Sequence, residues 1–323
     1  MHNRTFGRLG WQVSEIGYGM WGMAGCTGSD DAESEAALDE AVRLGVNFFD
    51  TAYAYGEGKS ERLLGALVRR HPAERLYTAS KIPPKNRRWP SRRDSPIDDV
   101  FPADYIREYA ERTLGNLGLP RVDLLQFHVW EDAWARDERW QRAVDDLRRE
   151  GMIGGVGISL NRWEAWNGVE TLRTGLVDAV QVVHNVFDQA PESELFPTCA
   201  SLGIAVIARV PFDEGSLTGT LTRDTRWPDG DFRSAYFAGD KLGATLARVD
   251  ALRADVPAGM TMPEMALRYI LSDARVSTVI PGMRRIPHVR ANAAAGDGAG
   301  LPADVLARLR AHRWDRVPEP RPD

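Results

Sequence analysis

Apolar, strand-like runs recur along this chain, and each is followed by a helical pattern. The runs are Glu15–Met20, Val46–Asp50, Leu76–Lys81, Val122–His128, Met152–Ser159, Asp178–Val183, Ile204–Arg209 and Ser277–Ile280. Most are continuously apolar rather than alternating, as strands covered on both faces of a parallel sheet are. Eight such runs interleaved with helices predict an α/β protein, a closed (β/α)8 TIM barrel. An open doubly wound sheet is the alternative, but no Gly-x-Gly-x-x-Gly turn follows the first run.

The helix signals are specific. Asp30 with Glu33 forms a capping-box pattern ahead of Ala37, Leu38, Ala41 and Val42. Leu63, Leu64, Leu67 and Val68 make one apolar stripe, and Trp140, Ala143, Val144 and Leu147 make another. Arg4–Phe6 and Gln12–Ser14 flank Gly7 and Gly10, which predicts a small N-terminal β-hairpin closing the barrel floor. Segments 82–101 and 211–239 read as long loops. Both follow a strand, so both fall on the catalytic face of a barrel. The whole of 1–323 reads as one barrel domain, with residues 316–323 a loose Pro-rich tail.

Composition narrows the function. The 323 residues carry 41 Lys+Arg and 46 Asp+Glu, a net charge of −5. That mildly acidic balance argues against a nucleic-acid partner. Hydrophobic residues at 43% and charged residues at 27% are the mix of an ordinary globular protein. Two cysteines, Cys26 and Cys199, cannot build a disulfide framework or a thiolate cluster. Reduced thiols, no signal-peptide pattern and no membrane-spanning run lead to an expected cytoplasmic location with no membrane partner. Oligomeric state is not readable.

Polar residues at strand ends face a barrel's pocket. Asp50, Lys81 and His128 end three successive runs, and Tyr55 lies in the loop after Asp50. A buried lysine and a buried aspartate are each costly alone, so pairing is expected. A lysine beside a phenol has chemical use. Lowering a tyrosine pKa by two units takes roughly 2.7 kcal/mol. A cation about 4 Å away supplies on the order of 4 kcal/mol at an effective dielectric near 20. Taken singly, Asp50 reads equally as a cap, Tyr55 as a wall aromatic and His128 as a core histidine. Lys81 resists such a reading, because lysine is almost never fully buried unless paired.

These residues resemble the aldo-keto reductase family. Phe49-Asp50-Thr51-Ala52-Tyr53-Ala54-Tyr55-Gly56-Glu57-Gly58-Lys59-Ser60-Glu61-Arg62-Leu63-Leu64-Gly65 is similar to that family's aspartate–tyrosine signature. Val122-Asp123-Leu124-Leu125-Gln126-Phe127-His128 is similar to its histidine strand, and Pro281-Gly282 through Asn292 to its C-terminal cofactor segment. The resemblance implies an NAD(P)H-dependent carbonyl reductase of aldehydes, ketones or keto-sugars, and Arg284 with Arg285 favours NADPH/NADP+ over NADH. It implies a catalytic tetrad of Asp50, Tyr55, Lys81 and His128. Tyr55 would be the general acid, Lys81 would lower its pKa, Asp50 would hold Lys81, and His128 would orient the carbonyl.

The same resemblance implies cofactor contacts. Gly19, Met20, Trp21 and Asp50 fall on the nicotinamide side, with Ser159 and Gln181 at its carboxamide and Arg209 beneath the ring. Pro211, Phe212, Gly215 and Leu217 belong to the stretch covering the pyrophosphate. Gly282, Met283, Arg284, His288 and Asn292 belong to the adenosine end. Arg284, with Arg285 beside it, suits a 2′-phosphate, because guanidinium forks match phosphate geometry. Three residues depart from common family patterns: Leu160 after Ser159, where Asn161 is the candidate compensation; Arg209, where a tyrosine is frequent; and His184 before Asn185.

Trp21, Tyr53, Trp89 and Trp130 are the candidate substrate walls, with Trp227, Tyr236 and Phe237 as further aromatics. The run 85–93 is basic and reads as a solvated surface loop. The expected partner is a small-molecule carbonyl compound, and no metal ligand set is read. Two alternatives stay open. One is a non-catalytic NADP(H)-binding regulatory subunit. The other is a metal-dependent barrel hydrolase or isomerase built on Asp50, His128 and His184.

Overall fold

A two-stranded hairpin stands at one end of the molecule. Strands β1 (Asn3–Phe6) and β2 (Trp11–Ser14) pair antiparallel. Their turn passes through Gly7 at φ 48°, where a Cβ would lie 2.6 Å from the Gly203 carbonyl oxygen. Phe6 and Val13 join Phe48, Tyr77, Leu124, Ile207 and Ile280 in one apolar cluster. The hairpin therefore plugs the barrel floor, as expected. The computed structural model describes residues 1–23 and 30–317. Cys26 and residues 318–323 lie outside them, while Cys199 is buried.

The described residues contain eight parallel strands in sequence order: β3 (Tyr18–Gly19), β4 (Phe48–Asp50), β5 (Tyr77–Ile82), β6 (Val122–Phe127), β7 (Ile153–Ser159), β8 (Ala179–Val183), β9 (Ala205–Arg209) and β10 (Thr278–Val279). Parallel bridges Ile16↔Val279 and Gly19↔Gly282 join the two edges, so the sheet curls into a (β/α)8 barrel. The eight expected runs all appear. The first is shorter than predicted. Glu15, at its head, is instead taken by Arg4 at 2.8 Å and by the Gly298 amide at 2.8 Å.

Helices alternate with the strands and bury their apolar stripes on the outside of the barrel. The helix Asp31–Arg43 starts at Asp30, whose carboxylate accepts from the Glu33 amide at 2.9 Å. No described helix is long and apolar enough to cross a membrane. The two expected long loops are not bare. The first carries a short helix at Ile97–Val100; the second carries a 3-10 segment at Asp213–Thr218 and a short helix at Arg233–Tyr236. Both rise from the C-terminal ends of strands.

Candidate active site

Asp50 ends β4, Lys81 lies near the end of β5 and His128 follows β6 directly. Parallel register sets Asp50 beside Ala79 and Lys81 beside Gln126, so these side chains converge at one rim. Lys81 is fully buried, and its three donors are all used. The ammonium bonds to Asp50 Oδ1 at 2.5 Å, to the Thr51 carbonyl at 2.8 Å and to the Tyr55 hydroxyl at 3.5 Å. The other oxygen of Asp50 accepts from Gln126 at 3.0 Å and Gln181 at 2.8 Å. A buried carboxylate thus has partners on both oxygens, which is what its burial requires.

The electrostatics follow from this packing. Burial works against the Lys81 charge, but Asp50 and then Tyr55 outweigh it, so Lys81 stays above its ordinary range. Burial pushes the Tyr55 phenol up, and the charges of Lys81 and Arg209 pull it down without overtaking. The acidifying pull expected of Lys81 is present; desolvation is the larger effect. His128 is held well below its usual value by burial, then by the charges of Lys81 and Arg209. It is therefore neutral near pH 7, with one ring N–H to donate. Its Nδ1 has no hydrogen-bond partner among the described residues. The His128 ring stands edge-on to Tyr55 at 5.6 Å and to Trp89 at 5.8 Å.

A cavity of about 850 Å³ opens over this cluster. Of the predicted residues it is lined by Gly19, Met20, Trp21, Asp50, Tyr55, Trp89, His128, Gln181, Arg209, Pro211, Phe212, Gly215, Gly282, Arg284 and His288. A Cβ on Gly19 would sit 2.7 Å from the Ile280 carbonyl oxygen, so the close approach of β3 to β10 demands glycine. A Cβ on Gly215 or Gly282 would meet nothing within 4 Å, so both leave backbone bare toward open space.

A model of the Aldo/keto reductase family matches residues 15–313. The chain belongs to the aldo/keto reductase family. It is 27% identical over 298 residues to the NADH-specific methylglyoxal reductase of Escherichia coli (strain K12), covering 88% of this chain and 90% of that one. It is 28% identical over 333 residues to the D-threo-aldose 1-dehydrogenase of a Pseudomonas species, covering 96% and 97%. Its fold matches that of an aldo-keto reductase from Bacillus halodurans in the holo form, with TM-score 0.78 and 24% identity over 99% and 98% of the two chains. Aldo/keto reductases are oxidoreductases that use nicotinamide cofactors.

Other predicted residues of this aldo/keto reductase lie off the cavity. Trp130 is fully buried among Phe127, Trp134 and Trp140, and its indole donates to Thr171 at 2.7 Å. It is a core residue, not a substrate wall. Tyr53 packs on Tyr109 at 4.7 Å, on the outer side of its loop. Trp227 stacks on Phe237 at 5.0 Å, and Tyr236 bonds to Asp213 at 3.0 Å. Leu217, Met283 and Asn292 are buried below the lining, and Ser159 is buried beside Gln181 in the β7–β8 register. Lys81 lies beneath the cavity and reaches it through Tyr55.

The departures from family pattern resolve differently. Asn161 does not compensate for Leu160: its amide is spent on Ser91 at 3.0 Å, the Trp130 carbonyl at 3.1 Å, Glu131 at 3.0 Å and Glu164 at 3.0 Å. Leu160 instead offers its carbonyl to Arg209 at 2.9 Å. Burial and the nearby Arg162 lower the Arg209 pKa to about 10, so it remains a cation at pH 7. His184 turns into the helix layer, bonded to Glu192 at 2.9 Å and packed on Phe196 and Tyr269. It is not brought together with Asp50 and His128. Sequence reading missed Arg162, Phe232 and Arg233, which also line the cavity, as does Glu214 of the stretch expected over the pyrophosphate. Arg162 and Glu214 form an ion pair between the loops after β7 and β9.

Proposed function

We propose that this chain reduces the carbonyl group of an aldehyde, ketone or keto-sugar to an alcohol, with NADPH as the hydride source. The observation that carries the reading is the three-way anchoring of Lys81 by Asp50, Thr51 and Tyr55 under a cavity that also presents neutral His128. The cavity suits a dinucleotide on three counts. Bare backbone at Gly215 and Gly282 leaves room for close approach. Arg284, Arg285 and His288 place basic side chains on the β10 side, suited to phosphate. Among the described residues, the buried Arg209 Nε and His128 Nδ1 have no hydrogen-bond partner.

When bound, the reduced nicotinamide supplies the hydride. Everything else falls to this chain's own side chains. His128 would donate its ring N–H to the carbonyl oxygen and fix its direction. As that oxygen gains negative charge, Tyr55 would pass it the phenolic proton. An alkoxide is a much stronger base than a phenolate, so a phenol that stays protonated is the state reduction needs. The phenolate left behind would be held by Lys81 at 3.5 Å, with Asp50 keeping the ammonium charged and aimed. The aromatic rim of Trp21, Trp89 and Phe232 would receive the rest of the substrate.

The experiment is NADPH consumption with a panel of aldehydes, ketones and keto-sugars, run in parallel with NADH. The E. coli relative is NADH-specific by name, so both cofactors belong in the panel. Turnover in the wild type and its loss in Tyr55→Phe, with dinucleotide binding retained, supports the reading. Turnover equal in the two proteins overturns the role given to Tyr55, and dinucleotide binding without any turnover in the wild type favours the regulatory-subunit alternative.

A further inference from the structure

Val210, Asp213 and Glu214 adopt φ of 56°, 44° and 55°, and Gly215 follows at 105°. Side chains of L-residues disfavour this region, and such conformations persist only where the surroundings over-determine them. The strained stretch is also the one that lines the cavity after β9. Its restraints come from the far end of the chain. Arg316, expected in a loose tail, has a side chain only 7% exposed. It bonds to Asp213 Oδ1 at 2.8 Å, to Asp188 Oδ1 at 3.1 Å and to the Tyr236 hydroxyl at 2.7 Å.

Each partner of Arg316 is itself tied to the stretch. Tyr236 donates to Asp213 Oδ1 at 3.0 Å, and Ser216 donates to Asp213 Oδ2 at 2.7 Å. Asn185 bridges Asp188 Oδ2 at 2.9 Å and the Val210 carbonyl at 3.0 Å. The guanidinium is also sandwiched, 4.9 Å from the Trp163 ring centre and 4.7 Å from that of Trp314. Asp188 and Asp213 are 6% and 1% exposed, so without Arg316 two buried carboxylates would face each other uncompensated.

We propose that Arg316 is a positioning residue for dinucleotide binding: it fastens the strained stretch from Val210 to Gly215 in the shape that covers the cofactor. This rests on the reading that the cavity holds a nicotinamide dinucleotide. Arg316 itself does not line the cavity and acts only through Asp213, Asp188 and Tyr236. Its loss should free the stretch to relax toward ordinary φ values and speed cofactor release. The chemical step, set by Asp50, Lys81, Tyr55 and His128, should be spared.

The test compares wild type, Arg316→Met, Arg316→Lys and the charge-balanced pair Arg316→Met/Asp213→Asn in the full chain. NADPH dissociation is followed by stopped-flow fluorescence, kcat is measured at saturating NADPH, and amide hydrogen exchange is followed across residues 210–219. Arg316→Met should raise the NADPH dissociation rate roughly ten- to hundredfold, the scale of one lost charge-assisted bond. It should also speed exchange across that stretch without lowering kcat. Arg316→Lys should recover part of both effects. Arg308→Met, which cuts an exposed ion pair to Asp255, should change neither. Should Arg316→Met fail to fold, the charge-balanced pair carries the same readouts. A folded Arg316 variant with wild-type release and wild-type exchange overturns the proposal. A wild type that binds no dinucleotide overturns the cofactor reading instead, and the exchange arm then decides alone whether Arg316 holds the stretch.

Discussion

Lys81 and Asp50 form an ion pair of 2.5 Å, with the lysine fully buried and the aspartate 3% exposed at the cavity floor. Neither partner is tolerable alone. Removing one charge of a buried pair costs about 3–5 kcal/mol, while replacing both by neutral groups of similar volume is close to neutral. Asp50→Asn and Lys81→Met should therefore each lower the denaturant midpoint sharply, and the double variant should recover most of the loss. All three should be inactive, because the phenolate of Tyr55 loses its cation or, in Asp50→Asn, the carboxylate that keeps that cation charged and aimed. A double variant as unstable as the singles, or an active Lys81→Met, contradicts the arrangement.

Tyr55→Phe removes only the proton donor. Positioned acid–base groups contribute about 100- to 10,000-fold to rate. The variant should lose that much kcat/KM and keep its affinity for NADPH, read by fluorescence titration. A loss of affinity equal to the loss of rate would assign Tyr55 to binding rather than to chemistry.

His128 gives the pH dependence its sign. Its folded pKa lies well below the ordinary value, through burial first and then the charges of Lys81 and Arg209. The unfolded chain therefore binds a proton at a pH where the folded chain does not. Stability from this group is complete above the unfolded value of about 6.5 and is lost as pH falls below it. The slope is at most about 1.4 kcal/mol per pH unit for one proton. His128→Asn should flatten the decline in unfolding free energy between pH 6.5 and pH 5 by up to that amount. An unchanged slope would mean that His128 takes up its proton over the same pH range in the folded and unfolded chains.

The barrel and the core of the site were legible for one physical reason. Parallel strands buried on both faces must be continuously apolar, so a lysine or an aspartate at the end of such a run is conspicuous. Asp50, Lys81 and His128 stood out in this way. Arg162 with Glu214, and Arg316 with Asp188 and Asp213, did not. Their partners are distant in the chain, and each arginine looks like any solvated cation. Trp130 misled because an aromatic near a strand end can face the cavity or the helix layer, and composition does not distinguish them. The Pro-rich end hid Arg316, whose burial depends on two carboxylates and the Trp163 indole from distant parts of the chain, and on Trp314 two residues before it.

Arg284 lines the cavity after β10, where the 2′-phosphate of NADPH is proposed to lie. A guanidinium–phosphate contact is charge-assisted and worth about 1.5–3 kcal/mol. Arg284→Ala should weaken NADPH binding roughly ten- to hundredfold and leave NADH binding nearly unchanged. An unaltered ratio of the two affinities removes the basis for preferring NADPH, and the E. coli relative's NADH preference then becomes the better guide to this chain.

Trp89 and Trp130 were alike in sequence and separate in the structure. Trp89 is 48% exposed, lines the cavity and stands edge-on to His128. Trp130 is fully enclosed by Phe127, Trp134 and Trp140. Truncating a buried tryptophan removes packing and leaves a cavity, at a cost of about 3–5 kcal/mol. Trp130→Ala should therefore lower the melting temperature by many degrees while the folded fraction keeps its ranking of carbonyl substrates. Trp89→Ala should do the reverse. Half of its surface is already in water, so stability should change by less than about 1 kcal/mol. The KM values across the carbonyl panel should shift unequally, most for substrates large enough to reach the rim. A panel whose ranking survives Trp89→Ala would place the substrate on the opposite side of His128.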